Sequence, residues 1–437
     1  MKQVRAGFSQ YGIYLVLLLG FLVRVLLLQA GLALDLRSDE NSYTKLAALL
    51  SQNPVGYSDI FRPPLYPTFL AFSFAAFGES RFATGVLQAL VSTLNVALIY
   101  AFTKTLFHRN HIALFAAALF ALQLELITLT RLYLADTLSI FLSTLGFWLL
   151  LKYTRARNAL PLIGAGIILA LAALTRELIG LFAILVVPVW LALVLAPKWN
   201  QFFRKTLAVT FGLAIVFIPW VIRNYGIEPR FVLISTSGEY NLARDNWREE
   251  AKLGIVPNLD GMITTRDKGK LKIHYPKQVR ADLRRLPPAE RGAYPFQRAY
   301  SVISHAPLQW LLLKTHKLAK LFEPPSPKWV YTRLESLPPE WNALLSESAR
   351  IMLVSIALFA ILGMFAAQDN APKLLILLYL LFSLAVFIAT HYMGRYRLPL
   401  LTLLLPYSAY GVFYLLERMT QRLRRGVVMK QNRFIQT

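Results

Sequence analysis

The sequence predicts an all-α polytopic membrane protein, and three observations carry that prediction. Of 437 residues, 56% are hydrophobic and only 16% charged, whereas soluble domains carry about a quarter charged residues. Several apolar runs reach the roughly 20 residues that a helix needs to cross a bilayer. The basic residues fall in short loops between those runs rather than on one soluble module.

Hydropathy draws about ten spans, near residues 11–34, 81–103, 111–131, 133–151, 159–175, 178–196, 206–222, 348–366, 372–390 and 398–416. The first run is too long for the apolar region of a cleaved signal, and reads as a retained span despite the small residues Ala30, Gly31 and Ala33 near its end. Pro64 to Gly78 is apolar but only half a span long, which suits a helix lying along the outer surface. With the N-terminus inside, the cytoplasmic segments hold Lys2, Arg5, Lys104, Arg109, Lys152, Arg155, Arg157, Lys198, Arg204, Lys205, Lys373 and a basic tail from Arg418, almost without acids. This positive-inside pattern needs an even number of spans and puts both termini in the cytoplasm.

The resulting organisation is an N-terminal transmembrane module over 1–222 that includes the outer loop 35–80, an outer loop region over 223–347, C-terminal spans over 348–416 and a basic tail over 417–437. The loop region is expected to be small and mixed. Its "RFVLIS" reads as a strand before a turn at Gly238, and a basic amphipathic helix is expected around Trp310 to Phe322.

Lys and Arg number 47 against 23 acids, a formal net charge of +24. Anionic membrane lipids or a phosphorylated substrate would satisfy it, while nucleic acid is not expected as a partner, because no soluble basic module exists. The absence of Cys excludes disulfides, thiolate metal sites and Cys nucleophiles. None of the 6 His forms a ligand spacing with acids, so no required metal is expected.

Under this topology the polar residues at span ends gather on the outer face: Asp39, Glu40 and Arg62; Arg131 and Asp136; Arg176 and Glu177; Arg223 and Asn224; His391, Arg395 and Arg397. Ionisable groups at membrane depth are costly and mark a site or an ion pair. Plainer roles exist for several. Arg176 and Glu177 could cap a tight turn, Arg395 and Arg397 could snorkel to head groups, and Arg24 and Glu125 could pair with each other. Asp136 must find a partner or a proton. Ser38 is a candidate N-cap for a helix running to Leu50, with Asp39 and Glu40 in its first turn. Helical spacing aligns Asp39 with the apolar stripe Tyr43, Leu46 and Leu50, and Glu40 with Thr44 and Ala47. Simple capping does not require a carboxylate on the buried stripe, which favours Asp39 over Glu40 as a base.

In order, "SDENSYTKLA", "FRPPLYPTFLAFSFAAFGES", "RLYLADTLSIFL", "ALTRE", "RNYGIEPRFVLISTSGEYNL" and "GRYRLPL" resemble bacterial glycosyltransferases of the GT-C class, and are similar to the protein O-mannosyltransferases and aminoarabinose transferases of glycosyltransferase family 39. The resemblance implies a GT-C fold with outer juxtamembrane helices, a polyprenyl-phosphate-linked sugar as donor, and an active site in the outer leaflet of the bacterial cytoplasmic membrane. It also implies inversion at the anomeric carbon. It gives Asp39 the place of the general base, while Glu40 stays compatible with helix-start chemistry or with support of its neighbour in catalysis. Arg62, Arg395, Arg397 and Arg176 take the places of donor-phosphate contacts. Asp136 becomes the acid that binds the acceptor or orients an arginine, and Tyr43, Tyr66 and Asn241 become substrate contacts. Two departures stand out. Phe61 occupies the position where relatives carry an acid that can bind metal, and "NLARDNW" replaces a glycine-containing run. The acceptor is left open as a glycan, a lipid or a protein. A flippase of lipid-linked sugars, or an enzyme like the O-antigen ligases and polymerases, are the alternative readings. The first would be expected to show paired, interrupted spans in two related halves, which the sequence lacks, and the second would rely on arginines in a late outer loop.

Overall fold

The computed structural model describes residues 2–29, 36, 39–53, 56–155, 160–242, 246, 264–267, 270–273, 285–319, 339–390 and 393–435. The helices in order are α1 (Lys2–Gln29), α2 (Asp39–Gln52), α3 (Leu65–Phe77), α4 (Arg81–Phe107), α5 (Asn110–Leu122), α6 (Leu124–Leu129), α7 (Asp136–Arg155), α8 (Leu160–Ala173), α9 (Glu177–Leu195) and α10 (Trp199–Ile227). After an outer region come α11 (Pro288–His305), α12 (Pro307–Ala319), α13 (Pro339–Ala366), α14 (Asn370–Ala389), a 3₁₀ turn (Gly394–Arg397) and α15 (Leu398–Ile435). Among the described residues, seven helices are long and apolar enough to cross a membrane. The protein is a multi-pass helical membrane protein.

Within the described residues, each expected span lies mostly in helix, but not always in one straight helix. The span expected over 111–131 is broken: Gln123 is extended (φ −67°, ψ 110°) between α5 and α6. The break frees the carbonyl of Ala121, which accepts a hydrogen bond from the Arg24 guanidinium at 3.0 Å. A buried cation at the carbonyl end of α5 also suits its dipole. Arg24 donates as well to Ser92 and Gly20, so the expected pairing of Arg24 with Glu125 does not occur.

Two further expectations are corrected. The "RFVLIS" segment is not a strand; it is irregular backbone held by side chains. Asn224 donates to the carbonyls of Val232 and Ile234 at 2.9 and 3.3 Å, and Trp220 to that of Ile234 at 2.7 Å. The strands that do form lie farther on, as an antiparallel hairpin of β1 (Thr264–Asp267) and β2 (Lys270–Ile273), with Thr264 opposite Ile273. In α2 the buried stripe runs Glu40, Tyr43, Ala47, Leu50 rather than through Asp39 and Leu46. An i, i+3, i+7, i+10 series tracks a helix face, and Glu40 rather than Asp39 belongs to it. Ser38 and His391 lie outside the described residues.

Three apolar clusters build the interior. One joins α7, α8, α9, α10, α14 and α15; a second joins α4, α5, α6, α13 and α15. A third, including Tyr43, Tyr66, Leu70, Phe74 and Tyr133, seats α2 and α3 on the turn before α7. Small residues permit the closest crossings. A Cβ on Gly212 of α10 would lie 2.2 Å from the Ile163 carbonyl of α8, and one on Gly363 of α13 would lie 1.9 Å from the Tyr407 carbonyl of α15.

Candidate active site

The ends of α2, α7 and α9, the loop before α3 and the 3₁₀ turn before α15 bring five charged side chains into one alternating chain. Arg62 Nη2 lies 2.8 Å from Asp39 Oδ1. Arg395 Nη2 pairs with Asp39 Oδ2, and its Nε lies 3.9 Å from Asp136 Oδ2. Asp136 Oδ1 in turn receives Arg176 Nη2 at 2.6 Å. Three guanidiniums against two carboxylates leave one net positive charge. The middle of the chain is closed to solvent, with Asp136 and Arg395 side chains 2% and 6% exposed, while Arg62, Asp39 and Arg176 are 19%, 24% and 23% exposed.

Each member is held by its local structure. Asp39 and Asp136 are the first residues of their helices, where N-terminal dipoles favour a carboxylate. Arg62 sits over the Tyr43 ring at 5.1 Å and the Phe61 ring at 5.3 Å. Its loop is fastened from several sides. Tyr57 Oη donates to the Arg62 carbonyl at 2.9 Å, and Thr236 N donates to that of Ile60 at 2.9 Å. Arg223 donates to the carbonyls of Asp59 and Tyr57 and stacks on the rings of Tyr57 and Trp220. Asp59 accepts the Phe61 N–H at 2.6 Å, which closes the turn before Arg62. Arg176 lies over the Tyr396 ring at 4.7 Å.

The electrostatics of Asp39 are one-sided. Its burial would raise the carboxyl pKa, but the Arg395 and Arg62 guanidiniums outweigh burial and hold it lowered to about 2. The cations are less well satisfied: Nε of Arg62, of Arg176 and of Arg395 are buried and make no hydrogen bond. A net positive charge with three unused buried donors suits an anion. It does not suit a metal, since a divalent cation competing for Asp39 and Asp136 would meet the three guanidiniums already paired with them.

The other sequence candidates fall elsewhere. Glu40 is 3% exposed; it accepts the Tyr133 N–H at 3.2 Å and lies 3.6 Å from Arg81 Nη2, so it binds α2 to α4 and to the turn before α7. Arg397 turns away from the chain and pairs with Glu125 at 2.7 Å. Tyr43 meets Tyr66 edge-on at 4.9 Å beneath Arg62, and Tyr66 Oη donates to Gln88 at 3.1 Å. Asn241 is half-buried in the helical residues 237–242. Sequence reasoning missed the clamp made by Arg223, Tyr57 and Trp220, and the stacking of Tyr396 on Arg176. An arginine at the end of a span with aromatics nearby was the one signal available for the clamp.

The family model described as dolichyl-phosphate-mannose-protein mannosyltransferase matches residues 61–222, under half of the chain. No curated protein sequence matches it. Among solved structures, the oligosaccharyltransferase AglB of Archaeoglobus fulgidus, in complex with an inhibitory peptide and a dolichol-phosphate, superposes with a TM-score of 0.56 at 17% identity over 96% of this chain. A second structure of the A. fulgidus enzyme, with Zn and sulfate, gives 0.55 at 15% over 96%, and covers 51% of that chain. ArnT of Cupriavidus metallidurans, bound to undecaprenyl phosphate, gives 0.44 at 15% identity over 93% of this chain and 78% of that one. The chain spans about half the length of the archaeal enzyme, 52% of it in the first structure. The chain therefore has the GT-C fold, that of the archaeal oligosaccharyltransferase, and over residues 61–222 it matches the dolichyl-phosphate-mannose-protein mannosyltransferase family in sequence.

Proposed function

We propose that the protein is an inverting glycosyltransferase that moves a sugar from a polyprenyl-phosphate donor to an acceptor hydroxyl at the outer face of the bacterial cytoplasmic membrane, with both termini inside. The observation that carries this reading is the alternating chain Arg62–Asp39–Arg395–Asp136–Arg176, with its single net positive charge. A sugar linked to a lipid by one phosphate is a diester with one negative charge, which that surplus neutralises. Guanidinium forks hold such oxygens bidentately.

In the reaction, the acceptor oxygen attacks the anomeric carbon from the face opposite the phosphate. The bond between that carbon and the phosphate oxygen breaks, and the phosphate keeps the electron pair. The acceptor proton passes to Asp39. The departing phosphate monoester then carries a second negative charge, while protonation of Asp39 leaves the site with a second positive one. Charge is balanced before and after transfer, and stabilisation of the departing phosphate falls to Arg62, Arg395 and Arg176.

A carboxylate shared by two guanidiniums is a weak base. A donor phosphate that draws Arg62 and Arg395 toward itself loosens both ion pairs, and Asp39 regains basicity only with donor in place. Asp136, between Arg395 and Arg176, orients both. Tyr43 floors the Arg62 side of the site and is a substrate contact in this reading, as is Asn241 on the outer segment, while Tyr66, fully buried and bonded to Gln88, supports the Tyr43 ring.

The purified protein should cleave synthetic polyprenyl-phosphate sugars in the presence of acceptor, and Asp39→Asn should lower that turnover by roughly a hundredfold or more; full activity in that variant would overturn the role of Asp39. Movement of intact lipid-linked sugar across vesicles without cleavage would replace this reading with the flippase.

A further inference from the structure

The 3₁₀ turn Gly394–Arg397 is where the site meets the rest of the protein, and its residues face different ways. Arg395 reaches Asp39 and Asp136, Tyr396 stacks on Arg176, and Arg397 Nη2 reaches Glu125 Oε1 on α6 at 2.7 Å. In a helix of three residues per turn, side chains two apart diverge by about 120°. A phosphate held by Arg395 therefore lies off the side to which Arg397 points. We propose that Glu125 and Arg397 form a positioning pair that fixes Arg395 for the donor phosphate, and that Arg397 does not itself contact that phosphate. This inference rests on the glycosyltransferase reading above.

Three observations support it. The pair is shut away from solvent, with side chains 3% and 4% exposed. Burying two charges costs about as much desolvation as their attraction returns, so such a pair serves register better than stability. The other side chains of the turn hold it differently. A Cβ on Gly394 would meet nothing within 4 Å, Tyr396 packs on Phe387 as well as on Arg176, and the partners of Arg395 are the carboxylates of the ion chain that an arriving phosphate would rearrange.

Glu125, by contrast, is a fixed point. The end of α5, one residue before α6, is held by Arg24 through the Ala121 carbonyl at 3.0 Å. On the C-terminal side of α6, Gln88 donates to the carbonyls of Thr130 and Leu132 at 3.2 and 2.9 Å.

The test compares full-length wild type with Glu125→Gln, Arg397→Met and the double variant, reading thermal unfolding and affinity for farnesyl phosphate in detergent at about pH 5, where a phosphate monoester carries close to one negative charge. Each single change should weaken binding on the order of tenfold, the cost of about one misaligned hydrogen bond to a charged group. Each single change should also lower the melting temperature, because it strands one buried charge. The double variant should regain the melting temperature but not the affinity. Recovery of both would make the pair structural only and overturn the proposal. Weakened binding in Arg397→Met with unchanged binding in Glu125→Gln would overturn it in favour of a direct phosphate contact. Failure of the wild type to bind farnesyl phosphate would overturn the glycosyltransferase reading, and this inference with it.

Discussion

At Asp39, burial and ion pairing pull in opposite directions, and ion pairing wins. The carboxyl's pKa is lowered, so its contribution to stability is complete above its ordinary value of 3.8 and is lost as pH falls toward about 2. The charged groups facing it are Arg62 and Arg395, with the Tyr43 hydroxyl close by. Catalysis should read the other end of this balance. The acid limb of kcat, which reports the donor complex, should lie at higher pH than that of kcat/KM, which reports the free protein. A common limb would show that Asp39 keeps its arginines when donor binds. Asp39→Asn should lower kcat by roughly a hundredfold or more. The same variant should bind farnesyl phosphate more tightly than the wild type, because the competing carboxylate charge is gone; weaker binding would contradict the competition between carboxylate and phosphate.

Among elements, the close helix crossings are the most sensitive to volume. Gly212→Leu would drive a side chain into the α8 backbone at Ile163. It should destabilise the detergent-solubilised protein by roughly 1–3 kcal/mol or more, seen as a lowered melting temperature, whereas Gly226→Ala, with nothing within 4 Å of its Cβ, should leave it unchanged. The sequence carried the helices well, since apolar length and basic flanks are one-dimensional signals. It also placed Asp39, Arg62, Asp136, Arg176 and Arg395 on one side, and the structure joins all of them into one chain. It could not separate Arg395 from Arg397, because two arginines on one short turn look alike until the turn's winding is known. Nor could it foresee that Glu125 would pair 272 residues away. "RFVLIS" misled because β-branched content reports burial of an extended segment and says nothing of a partner strand.

For the whole molecule, the asymmetry of charge makes the strongest statement. The segments read as cytoplasmic hold lysines and arginines almost without acids, so reporters fused to either terminus should be active only on the cytoplasmic side. Active external fusions would invert the site's placement as well. The helix α15 continues from the site side into the basic tail without a break, Leu398 to Ile435, so one rod links the two faces. The odd number of charges in the ion chain also has a bearing on which lipid carriers can enter. Three cations and two anions are one negative charge short, the charge of a single bridging phosphate. A sugar carried on a pyrophosphate brings two negative charges and would leave one buried without a counter-ion. Farnesyl-phosphate sugars should therefore outcompete their pyrophosphate counterparts, and the count of arginines and aspartates at one membrane face becomes a filter on carrier chemistry.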